Sequence, residues 1–247
     1  MVFNMVFRKM KIAIHQPEFM PWLGYFHKMK MADAYIVLDE VQFKKRYFEN
    51  RNYIRNSVND TKEWITVPVK TKGKYNQNIL DVKVSYEENW YKKISNTFIT
   101  RYGENEVTLS FNNLIEEFTR PNNKSLLELN INIINWFRDR FEIKTPLFYL
   151  SNLNIDSKGS DLILDVCKKM EATTYICGSS GKDYLDLDEG RKQRVREQKE
   201  NIHIEWQTFS EPNYYEQKRN LSYLSSFDFV QNFGLNCSSN FNKMIMQ

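Results

Sequence analysis

Lys11-Ile-Ala-Ile14, His15-Gln-Pro17 and, one helix later, Ala34-Tyr-Ile-Val-Leu38 are the residues on which the fold turns. The first is a short apolar strand, stopped by His15, Gln16 and Pro17. Pro17 and Pro21 bracket a loop, because each lacks an amide donor and restricts the residue before it. From Trp22, the apolar residues Trp22, Leu23, Phe26, Met29 and Met31 follow helical spacing, and Pro21 suits a helix start. Ala34–Leu38 is then a buried strand, closed by Asp39 and Glu40. Strand, loop, helix and strand within about thirty residues have the size of a βαβ unit with a parallel pair.

Outward from this unit, Glu63–Val69 alternates with period two, and Pro68 inside it marks an edge strand. Ile79–Val84 is a candidate for another. Residues 89–101, 107–118 and 124–141 read as helices. In the last, Leu126, Leu127, Leu129, Ile131, Ile133, Ile134, Trp136 and Phe137 place apolar groups on most sides, which implies a deeply buried helix. Leu147–Leu150 is strand-like, Ser160–Met170 helical, and Thr173–Cys177 a β-branched strand running into Gly178-Ser-Ser-Gly181. Ile202–Thr208 fits a final strand and Leu221–Phe233 a final helix. The class is α/β: a mainly parallel sheet with flanking helices and a helical middle segment. No linker divides the chain. Residues 10–235 read as a single domain, with residues 1–9 an N-terminal extension and 236–247 a C-terminal tail.

Composition supports a folded core. The 247 residues are 41% hydrophobic and 15% aromatic, a load that disordered chains do not carry. Only 8 Gly exclude collagen and glycine-rich linkers. The formal charge is +4 and the pI about 8.7, short of the pI above about 9 typical of nucleic-acid domains. Lys168-Lys169 and the run from Arg191 to Arg196 are short, sit among acids, and read as solvated helix faces. This balance tolerates tRNA without arguing for it. Cys167, Cys177 and Cys237 form no CxxC motif and cannot all pair, which points to a reducing compartment. With no run of 18 apolar residues and no signal-like opening, the protein reads as cytoplasmic and has no membrane partner.

Three constellations could carry chemistry. The first runs from His15 to His27, in the first strand-to-helix connection, where open parallel sheets hold their ligands. The helix start offers free N–H groups for phosphate, and His15 could act as acid or base; a structural histidine is the plainer alternative. The second runs from Asp39 to Asn52. Asp39 and Gln42 are expected to project from the same sheet edge as His15. Lys45, Arg46, Arg51, Asn50 and Asn52 supply donors for phosphate or sugar hydroxyls, unless this is simply an exposed loop. The third is Gly178-Ser179-Ser180-Gly181 with Tyr184 and Asp186, either an anion nest or a plain turn. It has neither P-loop nor dinucleotide spacing. No HExxH motif, spaced Cys/His cluster or GxSxG elbow is present, so no metal and no cofactor are expected.

The block from Ile14 to Phe26, then Leu38–Phe43, Asn50-Arg51-Asn52, Trp64–Val69 and Tyr175–Asp186, resembles the WbqC-like family of bacterial O-antigen and surface-polysaccharide gene clusters. The resemblance spans nearly all of residues 10–235. It places His15, Gln16, Trp22, Gly24, Tyr25, Asp39, Gln42, Asn50, Arg51, Asn52, Gly178 and Gly181 on family motif positions. What it implies is acyl or aminoacyl transfer to the amine of a nucleotide-linked amino sugar. His15 is then the base and Asp39 orients it or the amine. Lys45, Arg51 and the 178–181 turn hold phosphate, and Trp22 or Tyr25 stacks on a base or sugar. The partners are the nucleotide-linked amino sugar and an acyl or aminoacyl donor. The strand, His-x-Pro and helix layout is also similar to the HxGH region of nucleotidylyltransferases. A non-catalytic sugar-nucleotide-binding or scaffold protein is the third alternative.

Overall fold

The computed structural model describes residues 10–119, 125–178, 181, 202–212, 214 and 221–246. The chain divides into two compact units. The first takes the chain up to His15, then Lys28–Leu38 and Thr145–Thr208; the second takes Gln16–His27, Asp39–Lys144 and the chain from Phe209. The division falls inside helix α1 (Leu23–Met31), between His27 and Lys28.

The first unit is built on five strands: β1 (Lys11–His15), β2 (Ala34–Val37), β5 (Leu147–Tyr149), β6 (Thr174–Cys177) and β7 (His203–Trp206). They form one sheet in the order β5-β2-β1-β6-β7, with every pair parallel. The expected βαβ unit is present, with Ile12 opposite Ala34 and His15 opposite Val37. Parallel strands covered on both faces read as continuous apolar runs. All four residues of β2 and of β6 are accordingly buried, whereas the edge strands β5 and β7 are partly exposed. Helix α5 (Gly159–Lys169) buries Leu162, Ile163, Leu164, Val166 and Cys167 in the same unit. Thr145 Oγ donates to the Met29 carbonyl at 3.0 Å and to that of Ala32 at 3.3 Å, where α1 ends.

The second unit combines an antiparallel hairpin, β3 (Arg51–Asn56) with β4 (Thr61–Thr66), and helices α2 (Trp90–Tyr102), α3 (Glu106–Thr119), α4 (Leu126–Arg140), α6 (Ser226–Phe233) and α7 (Ser238–Ile245). Helix α4 is buried as its apolar pattern requires, and a Ser125–Glu128 capping box starts it. Aromatic rings fill this core: Phe98 stacks on Phe227 at 4.5 Å, and Phe141 on Phe241 at 4.3 Å.

The structure departs from the sequence reading at five places, the first being β4, which ends at Thr66 and leaves Pro68 outside the strand. Arg51 and Asn52, read within a polar loop, open strand β3, the partner that β4 needs. Only Ile54 among its apolar side chains is fully buried, so its alternation is faint in sequence. Ile79–Val84 forms a 3₁₀ turn at Ile79–Asp81, followed by an isolated bridge from Val84 to Val69. The helix read from Leu221 begins at Ser226, where the Ser225 hydroxyl accepts the Phe227 N–H. A further helix, α7, follows in the segment read as a tail, held by buried Phe241 and Ile245.

Asn130 is the polar exception inside α4. Fully buried, it donates from Nδ2 to the carbonyls of Pro17 (2.9 Å) and Glu49 (2.8 Å). An orphaned buried acceptor costs about 1–3 kcal/mol. Asn130→Ala is therefore expected to destabilise the fold by about 2–4 kcal/mol, read as a lower urea midpoint at unchanged slope. A loss below about 0.5 kcal/mol would remove Asn130 as the clamp on these segments.

Candidate functional site

In the first unit, the sheet fills one side of β1 with β2 and β5 and the other with β6 and β7. Strand order therefore reverses between β1 and β6, and ligands of open α/β sheets bind outside the carboxyl ends at such a point. His15 ends β1, half-buried, and its carbonyl accepts the Leu38 N–H at 2.9 Å. Continuing the β1–β6 register, in which Ala13 faces Ile176, brings His15 alongside Gly178. The Gly181 N–H donates to the Gly178 carbonyl at 2.9 Å. Ser179, Ser180 and Tyr184 lie outside the described residues.

One group here was not on the sequence list. Lys28, 4% exposed, donates from Nζ to the Ile14 carbonyl at 3.2 Å. A Cβ placed on Gly178 would lie 3.9 Å from that ammonium and 3.8 Å from Gln207 Oε1. An ammonium taken out of water costs several kcal/mol unless other groups compensate it. One held at the carboxyl ends of β1 and β6, where a glycine leaves space, suits an anion. Its signal in sequence was a lysine inside α1, whose neighbours Phe26, His27 and Met29 are all buried.

The other predicted residues belong to the second unit. Trp22 meets Phe209 and Tyr223 edge-on, each at 5.2 Å. Gly24 makes this possible, since a Cβ there would lie 2.3 Å from the indole. Tyr25 is buried, and His27, 5.4 Å from the Phe209 ring, is held by burial below the usual histidine range. Gln16 is half-buried at the start of the loop. Asp39 is 1% exposed, and its carbonyl accepts the Leu80 N–H. Gln42 donates to the Tyr75 carbonyl at 3.3 Å, Lys45 is exposed, and Arg51 lies 3.9 Å over the Trp64 ring.

The two asparagines that sequence offers as sugar donors point their amides at the backbone. Asn50 Nδ2 donates to the Val67 carbonyl, and Asn52 Nδ2 to those of Phe19 and Met20. With Asn130 on Pro17, they fix the connection that follows β1, where Met20 adopts a left-handed φ of 48°. Such backbone costs about 1–3 kcal/mol and persists only when its surroundings hold it.

Burial pushes the Glu49 carboxyl up to about 7, against the opposing pull of backbone N–H groups and Lys44. Burial likewise raises the Cys167 thiol to about 12 and that of Cys237 to about 11, which leaves both protonated and unreactive. Among the described residues, no three His, Cys, Asp or Glu side chains gather as a metal site, and no helix is long and apolar enough to cross a membrane.

The WbqC-like protein family model matches residues 16–239, most of the chain. Uncharacterized protein Rv1507c of Mycobacterium tuberculosis is 30% identical over 182 residues, covering 71% of this chain and 75% of its own. No solved structure matches.

Glu49 sets a pH dependence of known sign. Its folded pKa of about 7 exceeds the ordinary 4.5, so the folded state binds the extra proton. Its contribution to stability is complete below pH 4.5, falls as pH rises toward 7, and is flat above. Glu49→Gln is expected to remove that slope and to gain up to about 3 kcal/mol at about pH 8. Parallel wild-type and variant denaturation curves from acid to neutral pH would contradict this.

Proposed function

This chain belongs to the WbqC-like protein family, and on that premise we propose that it is a transferase of bacterial surface-glycan biosynthesis. It moves an acyl or aminoacyl group onto the amine of a nucleotide-linked amino sugar. The observation that carries the reading is the grouping of His15, Lys28 and Gly178 at the reversal of strand order in the parallel sheet. The Lys28 ammonium neutralises a diphosphate, and the bare backbone at Gly178 lets that diphosphate approach.

The chemistry then follows from what an amine must do. Its nitrogen attacks the carbonyl carbon of the donor, and the carbon–nitrogen bond forms as the nitrogen loses a proton. His15, at the carboxyl end of β1, takes that proton. The bond from the carbonyl carbon to the leaving group breaks, and His15 returns the proton there. A nucleotide at the same reversal point also suits nucleotidyl transfer, which the parallel strand order favours as the second reading. Pyrophosphate release from a nucleoside triphosphate distinguishes it.

His15→Ala is expected to lower turnover about 10²–10⁴-fold while the thermal shift with a uridine- or deoxythymidine-linked amino sugar persists. Turnover within a factor of about three of wild type ends the general-base role. Lys28→Met is expected to abolish that shift, which at a hundredfold excess over Kd reflects about 2.7 kcal/mol. A shift preserved in the lysine variant would place the diphosphate elsewhere.

A further inference from the structure

The hairpin of the second unit has a face that the reaction above leaves unused. In its register, Tyr53 faces Trp64 and Arg55 faces Lys62, so by the two-residue period Arg51, Tyr53, Lys62 and Trp64 share one side. Asn52, Ile54 and Ile65 occupy the buried side. On the outward side, Tyr53 and Trp64 stack at 3.7 Å. The Arg51 guanidinium lies 3.9 Å over Trp64, and the Lys62 ammonium lies 5.4 Å from Tyr53 and 5.9 Å from Tyr223. Ring contacts continue from Trp64 through Phe48 to Tyr47, with Lys44 5.2 Å over the last ring. Tyr47 is 50% exposed and Tyr223 56%. Flat rings and cations therefore alternate along one strip.

The strip is electropositive. Residues 44–66 contain six Lys and Arg against three acids, Glu49, Asp60 and Glu63. Glu49 is buried, Asp60 is bound by Arg55 at 2.6 Å, and Glu63 by Arg101 at 2.7 Å. Glu211, whose field reaches Lys62, accepts the Tyr223 N–H, and desolvation raises its carboxyl to about 7. Cations seated on aromatic faces lose little freedom when they meet an anion. An acidic peptide would engage the cations and leave the rings idle, whereas a neutral sugar would do the reverse. A strand of unpaired nucleotides uses both, with phosphates on the cations and bases against the rings. Overall charge gave no hint of this, because it averages over acids that the fold buries or pairs.

We propose that the outward face of the β3–β4 hairpin is a docking surface for single-stranded RNA, with Lys44, Arg51 and Lys62 on phosphates and Tyr47 and Tyr223 against bases. Under the transferase reading, on which this clause rests, the acyl donor is then an aminoacyl-tRNA, whose acceptor end is unpaired.

Fluorescence anisotropy of a labelled single-stranded RNA of about 12 nucleotides with the full chain tests the surface. Binding is expected at low salt, with log affinity falling against log salt at a slope of about −2 for three phosphate contacts. The double variant Lys44→Glu/Lys62→Glu is expected to bind at least about tenfold more weakly while its urea unfolding matches wild type. Absence of wild-type binding at low salt overturns the proposal. So does affinity within about twofold of wild type in the double variant, or equal binding of duplex RNA or polyglutamate. The transferase reading is separable: His15→Ala is expected to retain RNA binding, and the double variant to retain the nucleotide-sugar shift.

Discussion

A strand paired on both sides and covered on both faces exposes only its ends. That constraint on β1 governs the first unit. Ile12, Ala13 and Ile14 are buried, and β2 and β6 take both edges of the strand. Polar chemistry is thereby confined to the carboxyl end, where His15 stands in register toward Gly178. The buried ammonium of Lys28 is tolerable there because the Ile14 carbonyl and its other partners meet it.

In the second unit, polar side chains act as fasteners. Asn50, Asn52 and Asn130 satisfy carbonyls of segments that have no ladder to bond with. Buried carbonyls must be paired, and an amide side chain reaches where regular structure does not. These residues hold the connection from Pro17 to Met20 in a conformation it would not keep alone. Asn50 and Asn52 thus act on the backbone that they pin. Arg51, between the two asparagines, turns to the opposite side and rests on Trp64.

Charge follows the same division between local and tertiary effects. Lys44, Arg51 and Lys62 do not form one run in sequence, and acids lie among them. The burial of Glu49 and the ion pairs of Arg55 with Asp60 and Arg101 with Glu63 remove those acids from the strip. Tyr223, brought from a distant segment, adds a ring that no local motif contains.

The sequence by itself determined the elements whose signal is local. Short buried strands, the helix after Pro21, the amphipathic and fully apolar helices, and the family motif were all legible, since hydrophobic period and turn chemistry act over a few residues. It also marked His15 and Gly178 as strand ends at the binding side of a parallel sheet. Strand β3 was not legible because only Ile54 among its apolar side chains is fully buried, and helix α7 because it is a short helix held by Phe241 against the distant Phe141. The burial of Lys28, the clamping role of the asparagines and the alternation of rings and cations on the hairpin were decided by tertiary structure alone. Each depends on which groups meet across the fold, and burial, pairing and field arise from those meetings rather than from residue type.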